Sequence, residues 1–536
     1  MDKERAEVSK ELRDEKTPSE VRVFDAAREP VLDPRLGVEV PVTAKGRPRH
    51  RLVTIGDSLT QGFQSGAIFN TDLSYPAIIA YEMGCYEQFR KPIYLGFGGL
   101  PINLEFLSRE LEKEFGDHFD RWELSFALFR ARHFMARVEE WWEQGPGTVS
   151  PKVRGINHNL AVYGWDLRDT LVRTADTCRQ EIEDPKDNRF YQIVEYANER
   201  AAIRVLDSAR SDKQEALTPL GAAAALGEEG TKEDPQGYGI ETLIVLLGAN
   251  NALPSMLNLD VKWSDTGYDD LEKKKEFTVW RPSHFKKELE KVVEQVREIR
   301  AKHVIWGTVP HVTIAPIVRG VGAKLQKGSR YFPYYTRPWI SDRDFNDKND
   351  PNITDREARD IDSAIDQYND AIAEAVKQAR KDRFDWYLLD VAGILDRLAA
   401  RRYIEDQLAR PKWWRPYELP PELAALTPVP DSRFFASGPE GRTGGGLFAL
   451  DGVHPTTIGY GILAQELINV MQQHAGVKFY LGDGRTERTG PVRVNFRRLI
   501  DRDTLISSPP RSLTSNVRLI GWIDRTLDGI MDRILL

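Results

Sequence analysis

The chain has 536 residues, enough for two to four domains or for one α/β domain carrying large insertions, and its 41% hydrophobic and 29% charged residues are those of a folded globular protein. A net charge of −7, with acidic residues interrupting the basic runs, gives no general attraction to phosphate backbones, so nucleic acid is not an expected partner. No stretch reaches about eighteen uninterrupted apolar residues, so no membrane span is expected, and the two cysteines, Cys85 and Cys178, belong to no paired metal motif and read as unlinked thiols of a reducing compartment.

Residues 1–49 read as an N-terminal extension. Its first twenty or so, "MDKERAEVSKELRDEKTPSE", are expected to be mobile because they are highly charged and poor in aliphatics. They also lack the apolar centre of a secretory leader, so a cytoplasmic location is expected unless a leader has been removed. From residue 50 onward strand-like and helical stretches alternate. Strands are predicted at "RLVTIG" (51–56), "HNLAVYG" (158–164), "ETLIVLLG" (241–248), "KHVIWGTVP" (302–310) and "FDWYLLDV" (384–391). Helices are predicted between them at "SYPAIIAYEMG", "DLRDTLVRTADTCRQ", "SHFKKELEKVVEQVREIRA" and "TDREARDIDSAIDQYNDAIAEAVKQARK". The last of these begins with Thr354 and has Glu357 three residues later, a capping box. A final helix, "TTIGYGILAQELINVMQQ", follows "DGVHP". Five short apolar strands separated by helices predict an α/β fold in which a parallel sheet is covered on both faces and ligands bind at the carboxyl ends of the strands.

Three insertions exceed this rhythm, at about 85–157, 317–353 and 403–447. In the first, Phe115, Phe119, Trp122, Phe126 and Phe129 are spaced four and three apart, as on one face of a helix, while the alternation in "WELSFALF" also suits a strand. The aromatic stripe either packs on the main sheet or forms a lid lining an acyl pocket. "DRDFNDKNDPNI" (342–353) imitates the start of an EF-hand loop, but Asp347 stands where glycine is required and Ile353 where the bidentate glutamate belongs, so it reads as a polar loop. Residues 477–536 form a C-terminal extension ending in an amphipathic helix, with Leu519, Ile523, Leu527, Ile530 and Ile534 near one face. Its arginines and aspartates balance, which favours docking onto its own domain or a second subunit over an anionic lipid surface.

"HRLVTIGDSLTQGF" (50–63) turns from apolar to polar at Gly-Asp-Ser. A serine at the carboxyl end of a parallel strand, on the turn into a helix, exposes its Oγ at the sheet edge and can present its own N–H to an anion. Those are the needs of a nucleophile, provided a base removes the proton, which makes Ser58 a candidate. Of the nine histidines only His454 has an aspartate three residues before it, Asp451 in "LFALDGVHPTT". On a tight turn that spacing lets the carboxylate reach Nδ1 while Nε2 points outward. Oxyanion donors are sought at the other strand ends. Asn250 lies in "LLGANNAL" after the third predicted strand, and Gly164 in "NLAVYGWDLRDTL" ends the second. Each alone is an ordinary turn residue; the set in this chain order is not explained by turn chemistry. His311, just past the fourth strand, either borders the pocket or is a plain loop histidine. There is no His-Glu-x-x-His and no Gly-x-x-x-x-Gly-Lys phosphate loop, so neither metal nor cofactor is implied.

"GDSLTQG", the glycine after the second strand, "GANN" and "DGVHP" together resemble the four blocks of the SGNH hydrolases, the GDSL lipase/esterase family, over roughly 50–84, 156–260, 284–316 and 355–475. The resemblance implies a flavodoxin-like three-layer α/β/α domain over residues 50–476 with a five-stranded parallel sheet. It implies Ser58 as nucleophile, His454 as base and Asp451 as its orienter. The oxyanion hole would be the N–H groups of Ser58 and Gly164 with the side chain of Asn250. Similar proteins cleave carboxylic esters, sometimes thioesters, of lipids, aryl alcohols or acetylated sugars without a metal. Two departures stand out. Asn251 follows Asn250 where the family usually has aspartate, and the long gap after the first block leaves Gly98 or Gly99 of "YLGFGGLPIN" as a rival second-block glycine. An acyltransferase using the same site and a non-catalytic binding protein on this scaffold are the alternatives.

Overall fold

The computed structural model describes residues 5–41, 48–94, 96–116, 124–151, 154–182, 193–229, 231 and 237–511. At its centre is a parallel sheet of four strands, β1 (His50–Gly56), β2 (Ile240–Leu246), β3 (Ala301–Gly307) and β4 (Trp386–Leu389), paired in that order. In register, Thr54 lies opposite Ile244, Ile244 opposite Ile305, and Ile305 opposite Tyr387. Both faces are buried, which is why these strands read as continuous apolar runs. Leu52, Ile244, Ile305 and Tyr387 belong to one core, and Val53, Leu243, Val304 and Trp386 to the other.

The fifth predicted strand, 158–164, is not a regular strand. It runs beside β1 with a single bridge, Thr54 to Asn159. The N–H of Thr54 donates to His158 O (2.8 Å), that of Leu160 to Thr54 O (2.9 Å) and that of Val162 to Gly56 O (3.2 Å). Its polar side chains divert it from a full ladder. Asn159 Oδ1 accepts from Ala161 N–H (3.2 Å), and Asn157 Nδ2 donates to Val205 O (2.8 Å).

The helices that matter for the site are α1 (Ser58–Gln61), α2 (Tyr75–Glu82), α3 (Leu104–Phe115), α4 (Leu124–Glu143), α5 (Leu167–Val172), α6 (Pro219–Glu228), α7 (Pro282–Glu298), α8 (Asp355–Lys381), α9 (Val391–Leu398) and α10 (Thr457–Gln473). Helices α2 and α10 cover one face of the sheet, and α6, α7 and α8 cover the other. The capping box opening α8 is formed: Thr354 Oγ1 accepts from Glu357 N–H, and Glu357 Oε2 accepts from Thr354 N–H (2.8 Å).

The N-terminal stretch, expected from its charge to be mobile, is instead a strap laid over α8 and the open edge of β4. Its charges find partners there: Arg5 pairs with Asp366 (2.5 Å), and the Thr17 hydroxyl and Asp14 N–H both donate to Asp360 Oδ2 (2.6 and 2.9 Å). Val21 and Val23 are buried, and Leu388 N–H of β4 donates to Pro34 O (2.9 Å). In the first insertion Phe115 packs against the core, but the part of the aromatic stripe carried by α4 is not its packing face. Helix α4 buries Ala127, Ala131, Phe134, Met135 and Val138, whereas Phe126 and Phe129 are 60% and 69% exposed. Phe119 and Trp122 lie outside the described residues. The segment 342–350 is a largely exposed polar loop. Beyond α10, Phe479, Val492, Phe496 and Leu499 pack into the α2/α10 core. The predicted terminal helix through Leu519 and Ile534 lies outside the described residues. Cys85 and Cys178 are buried and unlinked, and burial pushes their thiols up to about 11 and about 12. Among the described residues no helix is long and apolar enough to cross a membrane.

Candidate active site

Strand β1 ends at Gly56, and Asp57 caps α1 by accepting from Leu59 N–H (3.1 Å). Ser58 is therefore the first residue of α1, at the carboxyl end of the sheet, and is 7% exposed. Two hydrogen bonds tie α1 to the irregular segment beside β1. Asn159 Nδ2 donates to Thr60 O (2.9 Å), and Tyr163 N–H donates to Gln61 Oε1 (2.7 Å). This sets Gly164 next to α1. Gly164 has φ +72°, a conformation that side-chain-bearing residues rarely adopt. The turn is anchored on its far side, where Asp166 and Asp169 cap α5 reciprocally and Lys274 Nζ lies 2.8 Å from each carboxylate.

Asn250, in the turn after β2, reaches the same place. Its Nδ2 donates to Trp165 O (2.9 Å), which leaves the second amide hydrogen uncommitted. Among the described residues the backbone N–H groups of Ser58 and Gly164 have no acceptor. Three donors thus gather at one rim of the sheet.

The turn 451–454 carries the candidate base, His454. Asp451 Oδ1 accepts from the N–H groups of Val453 (2.9 Å) and His454 (2.8 Å), and Oδ2 accepts from Gly66 N–H (2.9 Å) and lies 3.1 Å from His454 Nδ1. Burial acts to raise the Asp451 carboxyl, but the charge of His454 and these hydrogen bonds outweigh it and hold the group below its ordinary value. An ionised Asp451 can only accept, so in the neutral imidazole Nδ1 carries the proton and Nε2 the lone pair. Nε2 is buried and has no hydrogen-bond partner among the described residues, Ser58 Oγ included. The His454 ring packs on Phe63, centroids 4.6 Å apart. Phe63 N–H donates to Ser58 O (3.0 Å), and its carbonyl accepts from the Tyr460 hydroxyl (2.6 Å). One residue therefore joins the imidazole to the turn that bears Ser58. Burial pushes the Asp57 carboxyl up to about 6, against the opposing effects of Leu59 N–H and the charge of His454.

His311 is not part of this group. It is buried, with Nε2 3.1 Å from Asp366 and Nδ1 3.3 Å from Asp396. Gly98 and Gly99 sit against Phe134 and Ala67, and Gly99 O accepts from the Trp142 indole (2.7 Å), so Asn250 meets the Gly164 turn and not theirs. The sequence reading missed Phe63, Gly66 and Tyr460, whose contacts with the 451–454 turn or the Ser58 turn span most of the chain and leave no local signal. A cavity of about 1270 Å³ lies at the other end of the sheet around His50, Arg51, Arg90 and His158, away from these groups. A second, about 420 Å³, lies beside the 451–454 turn. No family model, curated protein or solved structure matches the chain.

Proposed function

We propose that the chain is a serine hydrolase of carboxylic esters, of the SGNH type. The observation that carries this reading is His454. Its Nδ1 is held by an ionised carboxylate, while Nε2 is buried and unpartnered among the described residues and the ring packs at a tilt on Phe63, which is bonded to the Ser58 turn. Leaving a buried polar atom unpaired costs about 1–3 kcal/mol. His303 bears the same cost, with Nδ1 2.5 Å from Asp385 and Nε2 unpartnered, so what singles out His454 is its place against Phe63 and the Ser58 turn, where a general base needs its lone pair available. The topology supports the reading as well. With segment 158–162 counted as a fifth strand, the spatial order is second, first, third, fourth, fifth in chain order, the flavodoxin-like order. Ser58, Gly164 and Asn250 then flank the point where that order reverses.

In this mechanism Ser58 Oγ attacks the ester carbonyl carbon as its proton passes to His454 Nε2, and Asp451 stabilises the imidazolium. The carbonyl oxygen, now negative, is met by the N–H groups of Ser58 and Gly164 and the free amide hydrogen of Asn250. Collapse breaks the bond to the alcohol oxygen, which takes the proton from His454. Water then attacks the acyl-Ser58 ester with His454 again as base, releasing the acid. Hydrolysis of short-chain aryl esters tests the reading. Ser58→Ala is expected to lower kcat at least about a thousandfold with an unchanged melting temperature. Undiminished hydrolysis by that variant would contradict it.

A further inference from the structure

The second cavity, about 420 Å³, lies between residues 313–320, 330–338, 399–405 and 432–434, and its size suits a small ligand. Arg319, Arg330, Arg401, Arg402 and Arg433 line it, against one lining carboxylate, Glu405. Three of these arginines have counter-ions: Arg319 pairs with Asp342 (2.5 Å), Arg402 with Asp362 (2.9 Å), and Arg433 with Glu405 (2.7 Å) and Asp431. Among the described residues Arg401 and Arg330 have no carboxylate within ion-pair distance. Arg330 donates to Asp25 O (3.0 Å). Arg401 is half-buried, donates to Gly320 O (3.1 Å) and lies over the Phe332 ring (5.1 Å). Burial and the like charge of Arg319 lower its pKa against the opposing charges of Glu405 and Asp342, neither of which is within ion-pair distance of it.

The cavity shares a wall with the candidate active site. Pro316 and Val318 line it, and Ile317 between them donates to Gly452 O (2.8 Å), inside the turn that carries Asp451 and His454. Phe434, another lining residue, would lie 2.9 Å from a Cβ at Gly452. Guanidinium forks match the oxygen pairs of phosphate and carboxylate, and Phe332, Tyr335 and Phe434 offer apolar surface to the rest of a ligand. We propose that this cavity, centred on Arg401, holds an anionic group of the ester substrate, a phosphate or carboxylate, next to the 451–454 turn. The inference rests on the hydrolase reading above and names the substrate class for that site.

The test has a binding arm and a kinetic arm, both on the full chain. Inorganic phosphate titrated calorimetrically is expected to bind saturably. Arg401→Gln weakens that binding at least about tenfold, and Glu405→Gln, which removes the competing carboxylate, tightens it. A gain of affinity in the second variant cannot arise from misfolding. In the kinetic arm, aryl hemiesters of succinate and adipate are compared with neutral butyrate and hexanoate esters. The ratio of kcat/KM for charged over neutral esters is expected to fall at least about tenfold in Arg401→Gln. No saturable phosphate binding, or binding equal in Arg401→Gln, overturns the site. Phosphate binding that depends on Arg401 with an unchanged ester ratio makes it a site for a free anion and overturns the substrate assignment. If neither ester type is hydrolysed, the hydrolase reading fails and takes the substrate assignment with it, while calorimetry still decides whether the cavity binds anions.

Discussion

At the scale of single residues, the strongest constraints fall on Asn250 and Asp451. Asn250 spends one amide hydrogen on Trp165 O (2.9 Å), so replacing it removes both a donor and a brace of the Gly164 turn. Asn250→Ala is expected to lower kcat by about 10²–10³, close to 3–4 kcal/mol, with little change in melting temperature; an effect on KM alone would deny it an oxyanion role. Asp451 makes four contacts within its own turn and with Gly66. Asparagine can still accept from Val453 and His454 N–H on its one oxygen, but its amide nitrogen then faces Gly66 N–H and His454 Nδ1, so it loses the Gly66 bond and no longer enforces a proton on Nδ1. Asp451→Asn is therefore expected to fold normally and lose about 10⁴ in kcat, checked by circular dichroism beside ester turnover. The Asp451–His454 contact was legible in the sequence because its partners are three residues apart. The packing of Phe63 on His454 was not, because it joins opposite ends of the chain and leaves no local trace.

At the scale of elements, the loop after β3 is clamped to two helices. His311 joins Asp366 of α8 to Asp396 of α9. Burial opposes its charge, yet the carboxylates of Asp396 and Asp362 and the hydrogen bond to Asp366 push it up to about 10. An unfolded histidine loses its proton near ~6.5, so the folded state binds the extra proton between these values. The stabilisation is complete below about pH 6.5 and is lost as pH rises through about 10. The melting-temperature deficit of His311→Gln is expected to be largest near pH 6 and to close above pH 10; a gap independent of pH would contradict the charged cluster. Strands β1 to β4 were legible because burial on both faces demands apolar runs. Segment 158–164 reads the same way in part, but Asn157 and Asn159 turn their amides onto backbone groups and break its ladder. In α4 the aromatic spacing suited a helix and the alternation a strand, and neither gave the inward face, since partner packing and not aromatic content decides which side is buried.

At the scale of the whole molecule, an open parallel sheet must protect its edges. The N-terminal strap does so at β4, and it is fastened by one buried node. Arg28 pairs with Asp390 (3.1 Å), whose carboxylate also accepts from Val31 N–H (2.6 Å), Gly393 N–H (3.1 Å) and the Thr308 hydroxyl (2.9 Å). Arg28→Ala removes the charge partner of that buried carboxylate, which still accepts from Val31, Gly393 and Thr308, an expected loss of about 1.5–3 kcal/mol read from urea unfolding, whereas an unchanged midpoint would show the strap to be dispensable. The sequence concealed this strap because its charge pattern resembles that of a mobile tail; only the distant aspartates of α8 and of the Asp390 cap give those charges partners.

The central claim is that Ser58 is a nucleophile served by His454. Intact-mass and peptide-mapping analysis after treatment with a fluorophosphonate tests it most directly, because that reagent phosphonylates only an activated serine. One adduct on Ser58, formed at least about a hundredfold more slowly in His454→Ala, is the expected result. An unlabelled protein, or an adduct on a different serine, would contradict the account.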